Sequence, residues 1–284
     1  MKTGVALIGP GNWGSSLLSA LRSAGVPVRE VVGKKRRRGV VALASAELDA
    51  QILWLCVPDG AIAATAAEMV ERRRAQGKTL RGQLVVHSSG ALTVDALAVA
   101  RKAGAVVASV HPVMSFPTHK VVNLRDVLFG VEAQPPVRRR LYALIRKLGG
   151  QPFAVQSVKK ALYHAAGTLA SPLLVSELSA AMATARLVGL SQNEARQWVG
   201  TLAQATVRNV FLHGEAKSFS GPFARGDVAT IRLHLKALAE HPIVADLYRA
   251  LAKYAVDALP VARRSEMRLL LAKDAGKKTG RVRH

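Results

Sequence analysis

The stretch Val5–Leu21, VALIGPGNWGSSLLSAL, joins an apolar run to a glycine-rich turn and then to the start of a helix. Its glycines follow the pattern G-x-G-x-x-G: Gly9 makes the tight turn, Gly11 lets the backbone approach a pyrophosphate, and Gly14 packs the helix against the strand. Free N–H groups and the dipole at a helix N-terminus favour an anion. The stretch therefore predicts a dinucleotide site; a purely structural turn is the alternative.

Length and composition predict a soluble protein of two domains. The chain has 284 residues, a length that exceeds the usual size of one domain. Half of the residues (50%) are hydrophobic, which suffices for a sizeable core. We expect its apolar runs to fall short of a membrane span, and we expect a cytoplasmic location without a signal peptide. The single cysteine, Cys56, lies in an apolar run and is expected to be a buried, inert thiol. It excludes a disulfide within the chain and a cysteine metal cluster, and we expect no metal site.

The net charge of +23 would by itself indicate a nucleic-acid partner. The basic residues are, however, spread over several short clusters, with few aromatic residues to stack on bases: Lys34–Arg38, Arg72–Arg74, Arg138–Arg140 and Lys273–His284. We therefore expect only non-specific electrostatic binding of nucleic acid. Such binding would vanish at moderate salt without base preference.

The residues after the second predicted strand, Val28–Val32, favour NADP as the cofactor. An acid that holds the ribose 2′-hydroxyl normally lies about 20 residues beyond the glycines. Gly33 takes that place here and Lys34–Arg38 follow, while Glu30 lies earlier, inside the strand. Cationic side chains suit a 2′-phosphate, so NADP is predicted over NAD. A solvated run of charge is the alternative.

Further strands and helices complete a predicted Rossmann domain over residues 1–156, a doubly wound parallel sheet of the α/β class. The predicted strands are Val40–Ala42, Gln51–Val57, Leu84–His87, Val106–Val110, Val127–Val131 and Phe153–Val155, and the predicted helices are Ala61–Arg74 and Val137–Leu148. In such a sheet, a ligand lies beyond the carboxyl ends of the strands. The loops at those ends are therefore expected to border the nicotinamide.

These patterns give a set of candidate ligand-binding residues. The residues predicted to bind the cofactor are Gly9, Gly11, Asn12, Trp13, Gly14, Lys34, Lys35, Arg36, Val57 and Pro58. The strand-end residues predicted to bind substrate are Ser88, Ser89 and His111. His111 could equally be a capped structural histidine, and for His87 the structural interpretation is the favoured one.

Residues 157–265 show only helical spacing and predict an all-α domain for dimerisation and substrate binding. The predicted helices are Val158–Leu187, Gln192–His213, Asp227–Ala239 and Pro242–Ala258. Gly189, followed by Ser191 as a cap with Glu194 three residues later, marks the first boundary. Residues 266–284 are predicted to be a disordered basic tail.

The first helix of this domain carries a polar stripe, in which Lys160, His164, Thr168 and Ser171 recur at helical spacing. Reduction of C=O or C=N needs a proton donor, and Lys160 or His164 could be that donor, with Ser171 beside them. A structural role is the equal alternative. Pro172 is expected to kink this helix.

The loop Ser220–Asp227, SGPFARGD, delivers two charged residues between predicted helices. Arg225 could bind a substrate carboxylate or form a salt bridge with Asp227. Asp227 is expected to cap the next helix.

The glycine turn, HSSGAL, VHPVMSF, YHAAGTLAS and GPFARGD occur in this order, and together they resemble a family of two-domain NADP oxidoreductases related to pyrroline-5-carboxylate reductase. The resemblance covers roughly residues 4 to 260. It implies a helical domain akin to that of 6-phosphogluconate dehydrogenase, a dimer, and an active site between domains, and some members act as an alternative ketopantoate reductase. Related proteins commonly have Asn where this chain has Pro172, which puts a catalytic or substrate-binding amide there in doubt.

The sequence thus predicts an NADP-dependent reductase of a small carbonyl or imine substrate that carries a carboxylate. A ketopantoate-like 2-oxo acid or a cyclic imino acid would fit. A catalytically silent nucleotide-binding regulator is the first alternative, favoured by Pro172. A nucleic-acid-binding protein driven by the net charge is the second.

Overall fold

The computed structural model describes residues 2–36, 38–118 and 120–272. The chain divides into two compact units, and the boundary lies between Ser171 and Pro172. This boundary lies later than the predicted one after residue 156. The physical reason is that the helix following residue 156 is anchored to the sheet of the first unit, where Lys160 pairs with Glu132.

The described residues of the first unit form one sheet of eight strands. The strands are β1 (Lys2–Ile8), β2 (Val28–Gly33), β3 (Val41–Ala42), β4 (Ala50–Leu55), β5 (Leu84–His87), β6 (Val106–Pro112), β7 (Leu128–Glu132) and β8 (Gln151–Ala154). Their order is β3-β2-β1-β4-β5-β6-β7-β8, so the chain reverses direction across the sheet beside β1. That switch point, where the glycine turn follows β1, is the place at which open α/β sheets bind ligands. The predicted doubly wound fold is confirmed.

The last two strands differ from an all-parallel arrangement. β7 runs antiparallel to β6, and β8 runs parallel to β7. A parallel neighbour needs a long crossover, usually a helix, and residues 113–127 contain no helix among those the structure describes. The reversal sets Glu132 opposite Ser109 and Gly130 opposite His111.

Helices cover both faces of the sheet. They are α1 (Asn12–Ser23), α2 (Ile62–Ala75), α3 (Ala98–Lys102), α4 (Pro135–Lys147) and α5 (Lys160–Thr168). Alternate residues of a strand point to opposite faces, so Ala6 and Ile8 join a core with α2 and α3, whereas Val5 and Leu7 join one with α1 and α4. Each large apolar side chain that is fully buried in this way contributes about 1.5–3 kcal/mol.

The second unit is helical, as predicted. Its helices are α6 (Leu174–Leu187), α7 (Gln192–His213), α8 (Glu215–Ser218), α9 (Gly221–Arg225), α10 (Val228–Ala237), α11 (Pro242–Ala258) and α12 (Arg264–Ala272). Ser191 and Glu194 form the predicted capping box at the start of α7. Apolar residues of α10, α11 and α12, among them Ile231, Val256 and Met267, form the core.

Two predictions need correction here. The loop around Gly221–Arg225 forms the short helix α9, because Pro222 has a backbone angle that suits a first helical turn. Residues 266–272 belong to α12 and not to a disordered tail, because Met267 and Leu271 are buried in the core of this unit. The remainder of the predicted tail, residues 273–284, lies outside the described residues.

The helical stretch Ser157–Leu187 contains a π-helical turn at Leu169–Leu173, with Pro172 inside it. Proline lacks an N–H and interrupts regular helical hydrogen bonding, which accounts for the wider turn. Contrary to the expectation from the sequence, this stretch of 31 residues is long and apolar enough to span a membrane by length and composition, since an 18-residue window within it has a mean hydropathy of 1.2. One such helix is weak evidence for a span.

Candidate functional site

The glycine turn between β1 and α1 has the geometry that its sequence pattern predicts. Gly9 has a φ of +93°, and a Cβ there would lie 2.7 Å from the carbonyl oxygen of Cys56. A Cβ on Gly14 would overlap the carbonyl oxygen of Gly9, whereas a Cβ on Gly11 would meet no atom of the described residues within 4 Å. Gly9 and Gly14 are therefore required by the fold itself, and Gly11 faces open space.

The N-terminus of α1 has no side chain that caps it. Its first N–H groups are thus available for an anion, which fits a dinucleotide pyrophosphate. The side chains of Asn12 and Trp13, predicted to bind the cofactor, make contacts within the protein: Asn12 Nδ2 donates to the carbonyl oxygen of Phe116 at 2.9 Å, and the Trp13 and Phe116 rings lie 5.1 Å apart. These contacts tie the loop after β6 to the glycine turn.

The side chain of Ser88 is hydrogen-bonded to Trp13, which follows the glycine turn. Its Oγ accepts hydrogen bonds from the indole N–H groups of Trp13 at 2.8 Å and of Trp54 at 2.9 Å. Both of its lone pairs are used within the protein, so Ser88 positions Trp13, while its predicted contact with substrate stays a prediction. Burial raises the pKa of the neighbouring Cys56 thiol, which accords with an inert thiol.

The carboxyl ends of β2 and β4 flank the glycine turn. Gly33 ends β2, and a Cβ there would lie 2.9 Å from the Val40 side chain, so packing also requires a glycine. The carboxylate of Glu30 accepts from the backbone N–H groups of Glu47 and Leu48, so it is already engaged within the protein.

The remaining predicted cofactor residues follow these strands. Lys34, Lys35 and Arg36 are exposed directly after β2. Val57 follows β4 and lies beside Gly9, and Pro58 is exposed next to it. Their positions are compatible with the predicted cofactor contacts.

His87 is a buried structural residue at the end of β5. Its Nδ1 accepts from the backbone N–H of Ser89 at 3.1 Å, and its Nε2 lies 3.1 Å from the carbonyl oxygen of Thr93. This arrangement requires a neutral ring with the hydrogen on Nε2. Burial lowers the pKa of His87 to about 4, with the charge of Lys160 adding to the effect.

Ser89 organises the loop after β5. Its hydroxyl donates to Oδ2 of Asp59 at 2.7 Å and accepts from the backbone N–H groups of Ala91 and Leu92. Only 4% of Ser89 is exposed. The observed role of Ser89 is to fix the loop, and its predicted contact with substrate stays a prediction.

Lys160 forms a buried ion pair, with 2% of its side chain exposed and 5% of that of Glu132. Its Nζ donates to Glu132 at 3.0 Å and to Ser109 Oγ at 2.5 Å. Glu132 also accepts from Ser157 Oγ and from the backbone N–H of Val94. Burial lowers the pKa of Lys160, which Glu132 opposes. The ammonium group is enclosed by protein partners, so it anchors α5 to the sheet and acts on its surroundings through its charge.

His111 and Tyr163 form the closest polar pair at the carboxyl end of β6. His111 Nδ1 lies 2.6 Å from Tyr163 Oη, and the two rings meet edge to face. Burial lowers the pKa of His111 to about 4, assisted by the charges of His164 and Lys160. Burial also raises the pKa of Tyr163 to about 12. At neutral pH the pair therefore consists of a neutral imidazole and a protonated phenol.

His164 completes this cluster. Its ring lies 6.0 Å from that of His111. A Cβ on Gly90 would lie 2.5 Å from the His164 ring and 2.8 Å from Nε2 of His111, so Gly90 provides the space in which the two imidazoles meet. A Cβ on Gly130 would likewise lie 2.7 Å from Tyr163 Oη. We name His111, Tyr163 and His164 the imidazole–phenol cluster.

The remaining predicted site residues lie later in the chain than this cluster. Thr168 Oγ1 donates to the carbonyl oxygen of His164, and Ser171 is half-buried in the π-helical turn that ends the first unit. Arg225 ends α9 in the second unit. Asp227 caps α10 as predicted, accepting from the N–H and the hydroxyl of Thr230.

Two family descriptions match the chain. Residues 2–112 match the Rossmann-like domain, and residues 127–255 match a family described as a domain of unknown function, DUF2520. The chain pairs a Rossmann-like domain with a DUF2520 domain. The predicted two-domain family is thereby confirmed, and no curated protein sequence matches the chain significantly.

Solved structures share this fold. A candidate NADP oxidoreductase from Bacteroides fragilis superposes with a TM-score of 0.70 at 21% identity, covering 87% of this chain and 95% of the other. Pyrroline carboxylate reductase from Plasmodium falciparum, solved with NADP, has a TM-score of 0.57 at 12% identity and covers 95% and 96%. An imine reductase from Myxococcus stipitatus, in complex with NADP⁺, has a TM-score of 0.61 at 16% identity and covers 94% and 99%. At these identities the likeness shows the fold.

The imidazole–phenol cluster joins the two matched segments of the chain. His111 ends the Rossmann-like match, whereas Tyr163 and His164 belong to the DUF2520 match. Sequence reasoning did not name Tyr163 as a candidate, although it lies one helical turn after Lys160, on the face of the polar stripe. It also did not name Glu132, because the reversal of β7 that places Glu132 opposite Ser109 has no local signal.

Proposed function

We propose that the protein is an NADP-dependent oxidoreductase that reduces a small C=O or C=N substrate bearing a carboxylate. The observation that carries the proposal is the combination of an uncapped α1 N-terminus behind Gly11 with a polar cluster in which His111, at the carboxyl end of β6, contacts Tyr163 of α5. The similar structures include NADP-bound reductases, which supports this reaction class. We further propose a cytoplasmic location, without a membrane span.

The residues of the glycine turn fit a dinucleotide. The N–H groups at the start of α1 would hold the pyrophosphate, and Lys34, Lys35 and Arg36 would pair with a 2′-phosphate. Glu30 would not compete for the ribose, because its carboxylate is bound to backbone N–H groups. When bound, the cofactor supplies a hydride to the substrate carbon.

Tyr163 is the proton donor of the proposed reaction. The hydroxyl hydrogen of Tyr163 becomes free to reach a substrate oxygen or nitrogen when His111 Nδ1–H donates to Oη, a tautomer compatible with the 2.6 Å contact. A pKa of about 12 keeps the phenol protonated. An alkoxide is a stronger base than tyrosinate, so proton transfer to the reduced substrate is downhill. Donation from His111 then stabilises the phenolate.

His164, a candidate donor from the sequence, is assigned here to substrate binding, and Arg225 keeps the substrate-binding role predicted for it. His164 borders the imidazole–phenol cluster, where it can hydrogen-bond the reacting group. Arg225 would bind the substrate carboxylate bidentately. A screen of 2-oxo acids, ketopantoate and cyclic imino acids by NADPH oxidation would identify the substrate, and Arg225→Ala is then expected to raise KM.

The cofactor preference tests the proposal first. Charge-assisted hydrogen bonds contribute about 1.5–3 kcal/mol, so Lys34→Ala with Lys35→Ala is expected to weaken NADPH binding at least about tenfold and to leave NADH binding nearly unchanged. Calorimetric titration measures both. Lys102→Ala with Arg139→Ala removes the same charge elsewhere and serves as the control. Equal losses for NADPH and NADH would contradict the proposal.

A catalytically silent nucleotide-binding protein is the second candidate. Pro172 favours it, since the π-helical turn at this position offers no side-chain amide. In that case NADPH would bind with the predicted preference, and no substrate of the screen would be turned over.

We also propose a homodimer built on the second unit. Large apolar side chains of α6, α7 and the turn between them are exposed, including Val175 at 65%, Leu202 at 61% and Phe211 at 86%. Exposed apolar patches of this extent are typical of subunit interfaces. A second copy related by two-fold symmetry would bury the same face on both chains.

A further inference from the structure

An open groove of about 690 Å³ lies along the outer edge of β2, and we name it the edge groove. It is lined by Val28–Val31 of β2, by Arg22 of α1, and by Arg36 and Arg38 of the loop before β3. β3 pairs with β2 only at Val32 and Gly33. Among the described residues, Val28–Val31 therefore have no strand partner on this side.

The rim of the edge groove is cationic. Arg22, Arg29, Arg36 and Arg38 line it and are exposed. Within the described chain, Arg29 is the one of these four whose guanidinium group has a hydrogen-bond partner, the carbonyl oxygen of Thr3. The one acid in the lining, Glu30, has both carboxylate oxygens bound to backbone N–H groups. Among the described residues, the four guanidinium groups form no ion pair with an acid, and four cations against one carboxylate leave the groove with an excess of positive charge.

The floor of the edge groove is apolar, and the groove extends away from the glycine turn, with Arg36 as the one lining residue that is also a predicted cofactor contact. Val28, Val31, Val40 and Val41 line it between the arginines. Val28 begins β2, and Arg22 lies in the last turn of α1, so this part of the groove is at the opposite end of both elements from the glycine turn. A ligand here would not occupy the pyrophosphate site.

We propose that the edge groove binds an extended acidic segment of another protein, which adds to the sheet as a strand beside β2. An unpaired strand edge offers backbone N–H and C=O groups to a further strand. Side chains alternate along such a strand, so acidic residues can reach the arginines while the apolar residues between them contact the valines. The chain's own residues 273–284 are strongly basic and lack the required charge.

A synthetic peptide tests the proposal without reference to the proposed enzyme activity. The probe is a fluorescein-labelled peptide of about eight residues that alternates glutamate and valine, titrated with the full chain at about 150 mM salt, where distant charges are screened. Micromolar binding is expected, with slower hydrogen exchange at the amides of Val28–Val31. The same peptide N-methylated at alternate amides cannot pair as a strand, and it is expected to bind at least about tenfold more weakly.

Charge reversal in the groove provides the second arm. Arg22→Glu with Arg38→Glu is expected to weaken binding of the peptide at least about tenfold. Lys102→Glu with Arg139→Glu makes the same change in net charge at exposed positions outside the groove and is expected to have little effect. Thermal unfolding of each variant establishes that the fold is intact.

Four outcomes of the peptide experiments would overturn the proposal. They are absence of binding, equal binding of the N-methylated peptide, equal losses in the two double variants, and exchange rates at Val28–Val31 that the peptide leaves unchanged. Preferential binding of a single-stranded oligonucleotide that depends on Arg22 and Arg38 would assign the groove to nucleic acid and would also overturn it.

Discussion

At the scale of single residues, the chemistry proposed for this protein depends on Tyr163 and on the imidazole that holds it. Tyr163→Phe keeps the ring, which packs edge to face on Phe153, and removes only the hydroxyl. General acid catalysis contributes roughly 10² to 10⁴ in rate, so kcat is expected to fall by that factor while NADPH affinity changes by only a few fold. Steady-state kinetics on a substrate from the screen measures the effect.

His164 provides the comparison for this prediction. It borders the same cluster, so His164→Gln is expected to raise KM more than it lowers kcat, because its proposed role is to bind the substrate. If Tyr163→Phe retained the wild-type rate and His164→Gln abolished it, the donor would be His164. If neither mattered, both residues would be structural.

His87 predicts a dependence of stability on pH. Its pKa of about 4 in the folded protein is below the ordinary value of 6.5, so the unfolded chain takes up the proton first as the pH falls. The stabilisation from the neutral ring is present above pH 6.5, and it is lost as the pH falls toward 4. Between pH 7 and pH 5, the free energy of unfolding of His87→Gln is therefore expected to fall by about 2 kcal/mol less than that of the wild type. Urea unfolding at the two pH values measures this difference, and identical losses would contradict it.

At the scale of elements, two glycines of the same turn have different predicted roles: Gly14 is required for folding, and Gly11 is required for cofactor binding. Gly14→Ala would force a Cβ into the carbonyl oxygen of Gly9, so it is expected to lower the melting temperature by several degrees. Gly11→Ala meets no atom of the described residues, so its stability should remain within about 0.5 kcal/mol of wild type while NADPH affinity falls, because the Cβ occupies the approach of the pyrophosphate. Thermal unfolding and NADPH titration on both variants test the pair. Unchanged NADPH affinity in Gly11→Ala would show that this turn is only structural.

The reversal of β7 and the anchoring of α5 also act at this scale. With β7 antiparallel to β6, Glu132 lies opposite Ser109, and both contact Lys160. Removing one partner of a buried pair destabilises by about 3–5 kcal/mol, because the other charge is left without compensation. The pair thereby holds the start of α5, and with it Tyr163 and His164, against the strand that ends at His111.

At the scale of the whole molecule, the exposed apolar face of α7 predicts a dimer at micromolar concentration. Trp198 and Leu202 lie one helical turn apart on α7, with exposed fractions of 56% and 61%. Trp198→Glu with Leu202→Glu is expected to give monomers that keep their helical content, since neither side chain contributes to the core of its own unit. Sedimentation and circular dichroism measure both properties.

Leu233→Glu on α10 is the matched control, because Leu233 is 66% exposed and lies outside this face. It is expected to leave the dimer intact. A wild-type chain that sediments as a monomer at micromolar concentration, with its helices formed, would contradict the dimer. The apolar stretch Ser157–Leu187 would then need another explanation.

The sequence by itself determined the Rossmann fold, the helical second unit and the glycine turn. These features depend on local patterns: buried strands are continuous apolar runs, and helices repeat their apolar residues every three or four positions. Gly9 and Gly14 lie where a side chain would overlap the neighbouring backbone. The capping box at Ser191 and the cap at Asp227 were predictable for the same reason, since each involves residues three apart.

Only the tertiary structure decided which side chains meet. Lys160 was a candidate donor by its helical spacing, but its burial follows from Glu132 and Ser109, which lie on strands distant in sequence. The contact between His111 and Tyr163 joins residues 52 apart, and Glu132 reaches its place through a strand reversal that no local residue specifies. Local propensity fixes elements within a few residues, whereas burial, pairing of charges and perturbed pKa values depend on contacts between elements, which form only when the chain packs.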